Sequence, residues 1–174
     1  FHRFDPLLRR ALAPRPEDRF PSAGAFADAI DELMFAQGWR GGAAALRALV
    51  KEAHQHGIRI LQDFVLNHVH QDHEYVAAHP DWFRTGCVCG TANCDWTAHA
   101  LDCMFATYMP DINHTVPEAT AAFVSDAVYW LDTFDLDGLR VDAVKHVEEV
   151  ATRNLAAEVR ETFEPGGTRY FLMG

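Results

Sequence analysis

Apolar side chains recur along this chain first at helical spacing, then in short continuous runs, and the order repeats. Between residues 43 and 53 Leu46, Leu49, Val50 and Ala53 fall on one helical face. Gly57 follows where a helix C′ residue belongs. Residues 58–61, Ile-Arg-Ile-Leu, have the length and composition of a short buried strand. A second helix is predicted from residue 117 to about 134, with Pro117 in its first turn and a stripe of Phe123, Ala127, Trp130, Leu131 and Phe134. Asp135-Leu136-Asp137-Gly138 then turns the chain into a predicted strand at 139–142. A third helix is predicted over 147–163, stopped by Pro165-Gly166-Gly167, and 169–173 reads as a third strand. Helix then strand, joined by a short connection, is the repeating unit of an α/β barrel.

Two segments fall outside that rhythm. In residues 1–34, Leu7-Leu8 and Ala11-Leu12 give a short apolar stripe, and Pro14, Pro16 and Pro21 punctuate a turn. Ser22 can cap a further helix, whose face would be Phe26, Ala29, Ile30 and Leu33. Gly38, Gly41 and Gly42 make 35–42 a flexible junction. Residues 69–115 hold all four cysteines (Cys87, Cys89, Cys94 and Cys103) with Trp82, Phe83, Trp96 and Tyr108. A loop this long inside a compact domain is usually functional. After a strand it would sit on the rim where barrel active sites form. Its aromatics either stack on a ligand or, for most of them, form the loop's own small core. The spacing C-x-C-x4-C-x8-C is not a usual zinc pattern, and His70 with His73 lacks a third placed ligand. Disulfides, in an exported protein, and buried thiols, in a cytosolic one, are the main alternatives, with zinc the lesser.

Composition narrows the partners. The 174 residues suit one domain or slightly more, and a hydrophobic share of 49% suffices for a core. The net charge of -10 opposes nucleic acid and suits a neutral substrate such as a glycan. No stretch of about 18 apolar residues exists to span a membrane. The N-terminal FHRFDPLLRR shows no signal-peptide pattern, which favours a cytoplasmic location.

The chemistry concentrates in Gly138-Leu139-Arg140-Val141-Asp142-Ala143-Val144-Lys145-His146. In a strand, residues i and i+2 share a face, so Arg140 and Asp142 would project together. A neighbouring cation favours the charged form of a carboxylate, which is what a glycosidase nucleophile needs. A second run, Asp63-Phe64-Val65-Leu66-Asn67-His68, clusters polar residues where the predicted 58–61 strand ends. Taken singly, Arg140 with Asp142 could be a structural ion pair, His68 a hydrogen-bonded structural histidine, and Lys145 a solvated surface lysine.

These two runs, with Met109-Pro110-Asp111-Ile112-Asn113, resemble in order and spacing the conserved regions of the α-amylase superfamily of glycoside hydrolases (family 13 type). The resemblance implies an α/β fold: a partial (β/α)8 TIM barrel of about three strands over 43–174, with an inserted loop domain at 69–115 and a short helical segment before it. It implies a retaining enzyme acting on α-glucan or oligosaccharide substrates, by hydrolysis or transglycosylation. Asp142 matches the nucleophile, Arg140 the residue holding its charge, and Asp63 the aspartate bracing that arginine. His68 matches a sugar-binding histidine, and Lys145 and His146 match residues on the leaving-group side. In the branches that carry a structural calcium, its ligands match Asn67, Asp111 and the backbone carbonyl of His146. The family's acid/base glutamate follows the strand corresponding to 169–173, and a whole barrel has eight strands and about 250 residues. The 174 residues are therefore expected to form an incomplete, inactive fragment. Residues 1–34 also resemble the last two helices of bacterial serine/threonine protein kinases, where Arg19 would match an arginine of structural role. No glycine-rich loop, HRD or DFG accompanies them. A non-catalytic glycan-binding module and the tail of a kinase-linked regulatory protein are the alternatives.

Overall fold

The computed structural model describes residues 5–21, 25–26, 29–30, 32–33 and 42–174. The expected cap Ser22 and junction residues 35–41 lie outside the described residues. The chain divides into two compact units, one of residues 1–60 with 134–136, the other of 61–133 with 137–174.

The first unit contains the helices Asp5–Ala11 and Ala43–Gln55 and a one-turn 3-10 helix, Pro16–Asp18. Its proline-marked turn is closed by Arg19, whose Nε donates to the Ala13 carbonyl at 2.7 Å. The Arg10 guanidinium lies 4.4 Å from the centre of the Phe20 ring. The helix Ala43–Gln55 ends as predicted at Gly57, whose φ of +71° suits glycine. Gly57 N–H donates to the His54 carbonyl and Ile58 N–H to the Ala53 carbonyl, the paired bonds of a Schellman cap. Ile58 is thus spent on closing the helix. The strand predicted at 58–61 forms instead at β1, Leu61–Val65. Asp63 therefore sits within a strand, where the sequence had suggested a position past its end.

The second unit carries β1 with β2 (Phe83–Arg84), β3 (Asp111–Ile112), β4 (Gly138–Asp142) and β5 (Phe171–Met173). β1, β4 and β5 form a parallel sheet in the order β1-β4-β5, and β2 pairs antiparallel with β3. The helix Glu149–Phe163 connects β4 to β5, as a parallel pair requires. Its buried Ala151, Leu155 and Val159 are spaced four apart, as one helical face demands. Leu139 and Val141 of β4 are buried, as are Phe123, Ala127 and Leu131 of the helix Pro117–Phe134; Trp130, in the predicted stripe, is only half-buried. Gly138 has a reason the sequence did not disclose. A Cβ there would stand 1.9 Å from the Phe171 carbonyl oxygen, so β5 can pair this closely only with a glycine.

Residues 69–115 form an ordered segment. It holds the helix Glu74–Ala78, the 3-10 turn Pro80–Trp82, the β2–β3 ribbon and two disulfides, Cys87–Cys94 and Cys89–Cys103. The pairing excludes the zinc alternative for the cysteines. His73 caps its helix by accepting from Tyr75 N–H, and His70 accepts likewise from Asp72 N–H, so each serves its own turn. Trp82 stacks on His79 at 3.9 Å, and Phe83 is buried. Trp96 and Tyr108 remain largely exposed.

Candidate active site

Sheet register assembles the site. Asp63 lies opposite Arg140, and Val65 opposite Asp142. Residues two apart on a strand share a face, so Asp63, Arg140 and Asp142 project together. Arg140 Nη1 stands 2.6 Å from Asp142 Oδ1 and 3.0 and 3.2 Å from the two Asp63 oxygens. One guanidinium nitrogen thus holds two carboxylates from neighbouring strands. The Asp63 hydrogen bond above all, with the charge of both carboxylates, raises the arginine's pKa above its ordinary value.

The chain reverses directly after Asp142. Ala143 adopts the left-handed conformation, φ 54° and ψ 25°, which non-glycine residues rarely take outside constrained sites. Its carbonyl accepts from His146 N–H at 2.7 Å, closing the 3-10 turn Val144–His146. Lys145 is exposed on that turn, and His146 is half-buried. Beyond β1, His68 Nδ1–H donates to Asn67 Oδ1 at 3.0 Å. Burial lowers the His68 pKa, while the charge of Asp142 pulls it back up, so the histidine stands within electrostatic reach of that carboxylate.

The 69–115 segment meets both histidines. Phe105 packs 5.1 Å from His68 and 5.1 Å from His146, Trp96 lies 5.5 Å from His146, and His146 Nδ1 is 2.8 Å from the Ala100 carbonyl. Sequence reasoning missed Phe105, a lone aromatic in a loop with no periodicity to mark it. It also missed Arg84 and His114. His114 is buried with Nε2–H donating to the Leu66 carbonyl at 2.7 Å, and burial lowers its pKa.

Asn67, Asp111 and the His146 carbonyl, the three ligands expected for calcium, do come together, but through N–H donors. Asn67 Nδ2 donates to Asp111 Oδ1 at 3.0 Å and to the His146 carbonyl at 2.8 Å. The other Asp111 oxygen takes a 2.8 Å bond from Arg84. Burial pushes the Asp111 carboxyl up to about 7, with Arg84 pulling against it. Among the described residues no group of three or more His, Cys, Asp or Glu is arranged to hold a metal ion. Calcium needs converging oxygens, and this donor set does not offer them as it stands.

No family model matches the chain. It is similar to an intracellular maltogenic amylase of Bacillus subtilis (strain 168), 32% identical over 120 residues that cover 63% of this chain and 19% of that protein. It is also 35% identical over 107 residues to a 1,4-alpha-glucan branching enzyme of Corynebacterium diphtheriae, covering 57% of this chain and 12% of the enzyme. Among solved structures, an α-amylase from Geobacillus thermoleovorans superposes with a TM-score of 0.63 at 30% identity, over 76% of this chain and 28% of its own. The homologues are glycoside hydrolases of the α-amylase family, and the structural neighbours are TIM barrels to which this partial sheet with helices corresponds. The chain spans about a fifth or less of the length of the curated relatives quoted. The comparisons lend no support to the kinase resemblance of residues 1–34. Among the described residues no helix is long and apolar enough to cross a membrane.

Proposed function

We propose that this chain carries the nucleophile-bearing part of a retaining glycosidase that acts on α-glucosidic bonds in α-glucans or their oligosaccharides. The observation that supports it is the single guanidinium of Arg140 held between Asp63 and Asp142 on one open sheet face. Arg140 grips Asp142 Oδ1, which aims Oδ2 as the attacking atom. Oδ2 bonds to the anomeric carbon as the glycosidic C–O bond breaks. The leaving oxygen keeps the bonding pair and takes a proton from a second carboxyl; water then releases the sugar from Asp142. Asp63 fixes Arg140 from β1. His68 and His146, backed by Phe105, bind sugar hydroxyls on either side of the attacked carbon, with Lys145 on the leaving-group side. In this reading residues 43–174 are the catalytic region and 69–115 its inserted wall.

A 5-fluoro α-glucosyl fluoride tests the nucleophile alone, because fluoride departs without a protonating residue. Peptide mass spectrometry should find one glucosyl adduct on Asp142 and none in Asp142→Asn. An adduct elsewhere, or none on a folded chain that binds maltooligosaccharides, would show a glycan-binding module in place of a nucleophile.

A further inference from the structure

We propose that the Arg84 guanidinium is the built-in cation of the joint behind the site, and that this joint works without calcium. The proposal does not depend on the glycosidase reading. Arg84 sits on β2 with its side chain 21% exposed. Its Nη1 binds Asp111 Oδ2 at 2.8 Å and also donates to the Leu101 carbonyl. Its Nη2 binds Asn113 Oδ1 at 2.7 Å and Glu148 Oε1 at 2.5 Å. One planar fork thus ties the β2–β3 ribbon and the loop at Leu101 to the segment that follows β4. Asp111 is 1% exposed and Asn67 2%, so neither has water to fall back on.

Each group that would bind calcium is already matched. Asp111 Oδ2 faces Arg84, and Asp111 Oδ1 and the His146 carbonyl both face the Asn67 amide NH2. Turning the amide over would set three oxygens together and expose its nitrogen to His68, whose Nδ1–H now bonds Asn67 Oδ1. A calcium ion needs six to eight oxygens at about 2.3–2.6 Å. To enter, it would have to displace that amide and lie beside a guanidinium that cannot lose its proton. Arginine suits the position because its fork reaches several oxygens in one plane, which a lysine ammonium cannot do.

Thermal unfolding and calorimetric titration with CaCl2 test this on the whole chain. The wild-type midpoint should be the same in excess EDTA and in millimolar CaCl2, with no saturable heat. Arg84→Gln should lower the midpoint by roughly 10 °C, since removing one partner of a buried charge pair leaves the other uncompensated. Arg84→Lys should recover only a minor part of that loss. If Arg84→Gln does not fold, Glu148→Gln should still give a smaller loss that CaCl2 fails to reverse. A wild-type midpoint that EDTA lowers and CaCl2 restores would overturn the proposal. So would an Arg84→Gln protein as stable as the wild type.

Discussion

Asp142 is held by a neighbour that is itself held. Arg140 alone, two residues away on the open face of β4, would be free to swing into solvent. Asp63, opposite it on β1, removes that freedom with two contacts to the same nitrogen. Ala143 adds backbone tension directly after the carboxylate. A different residue-scale effect lies at His114. Its ring is buried between the Leu66 carbonyl and the Thr120 hydroxyl, and burial holds its pKa below the ordinary 6.5. The unfolded chain therefore takes up the proton first. Stability from this group is complete above pH 6.5 and is lost as pH falls from there toward the lower folded value. Urea midpoints measured from pH 8 down to pH 5 should fall, and the fall should be shallower in His114→Gln, whose amide can still donate to Leu66. An unchanged slope in that variant would assign the acid sensitivity to other groups. The difference between Arg140 and Arg84 also explains what the sequence disclosed. Arg140 and Asp142 are two residues apart on a strand, so spacing alone puts them on one face. Arg84 meets partners 27, 29 and 64 residues away. No local pattern records distances of that kind.

At the scale of elements, periodicity predicted most of what formed, and its misses have local causes. The helix Pro117–Phe134 and the strand β4 stand where the apolar spacing put them, because one dominant face is buried in each. The strand at 58–61 moved by three residues because the cap after Gly57 takes Ile58. A short apolar run cannot show which of its residues the preceding helix will use. Gly138 looked like a turn glycine, yet it is fixed by the backbone of β5. Gly138→Ala should therefore cost about 3 kcal/mol or more, at the upper end for overpacking, since the clash is with backbone and no rotamer relieves it. The loss should be local. Hydrogen exchange in a peptide covering 169–174 should quicken first, while β1 paired with β4 stays protected. Uniform quickening through the sheet would mean the glycine matters for folding as a whole and not for this pairing.

For the whole molecule, the decisive feature is which sheet face is covered. Leu139 and Val141 point to the buried side. Register sets Phe171 and Met173 of β5 level with Gly138 and Arg140, so they share the face of Asp63, Val65 and Asp142. Phe171 is 51% exposed, Met173 48% and Val65 37%. Parallel sheets are ordinarily covered on both faces, and unpaired edges recruit other strands. Among the described residues β1 and β5 are both edges of the sheet they form with β4. The charge of -10 resists aggregation, but it does not cover an apolar rim around three charged side chains. The 174-residue polypeptide by itself should then hide this face against a second copy. Light scattering behind size exclusion at about 100 µM, within the range where exposed apolar surface drives association, should give a mass well above 19.5 kDa. Phe171→Lys combined with Met173→Lys should return it to the monomer, because both substitutions place charge on the open face. A wild-type chain that stays monomeric and binds no apolar dye would mean that the face is satisfied as it stands.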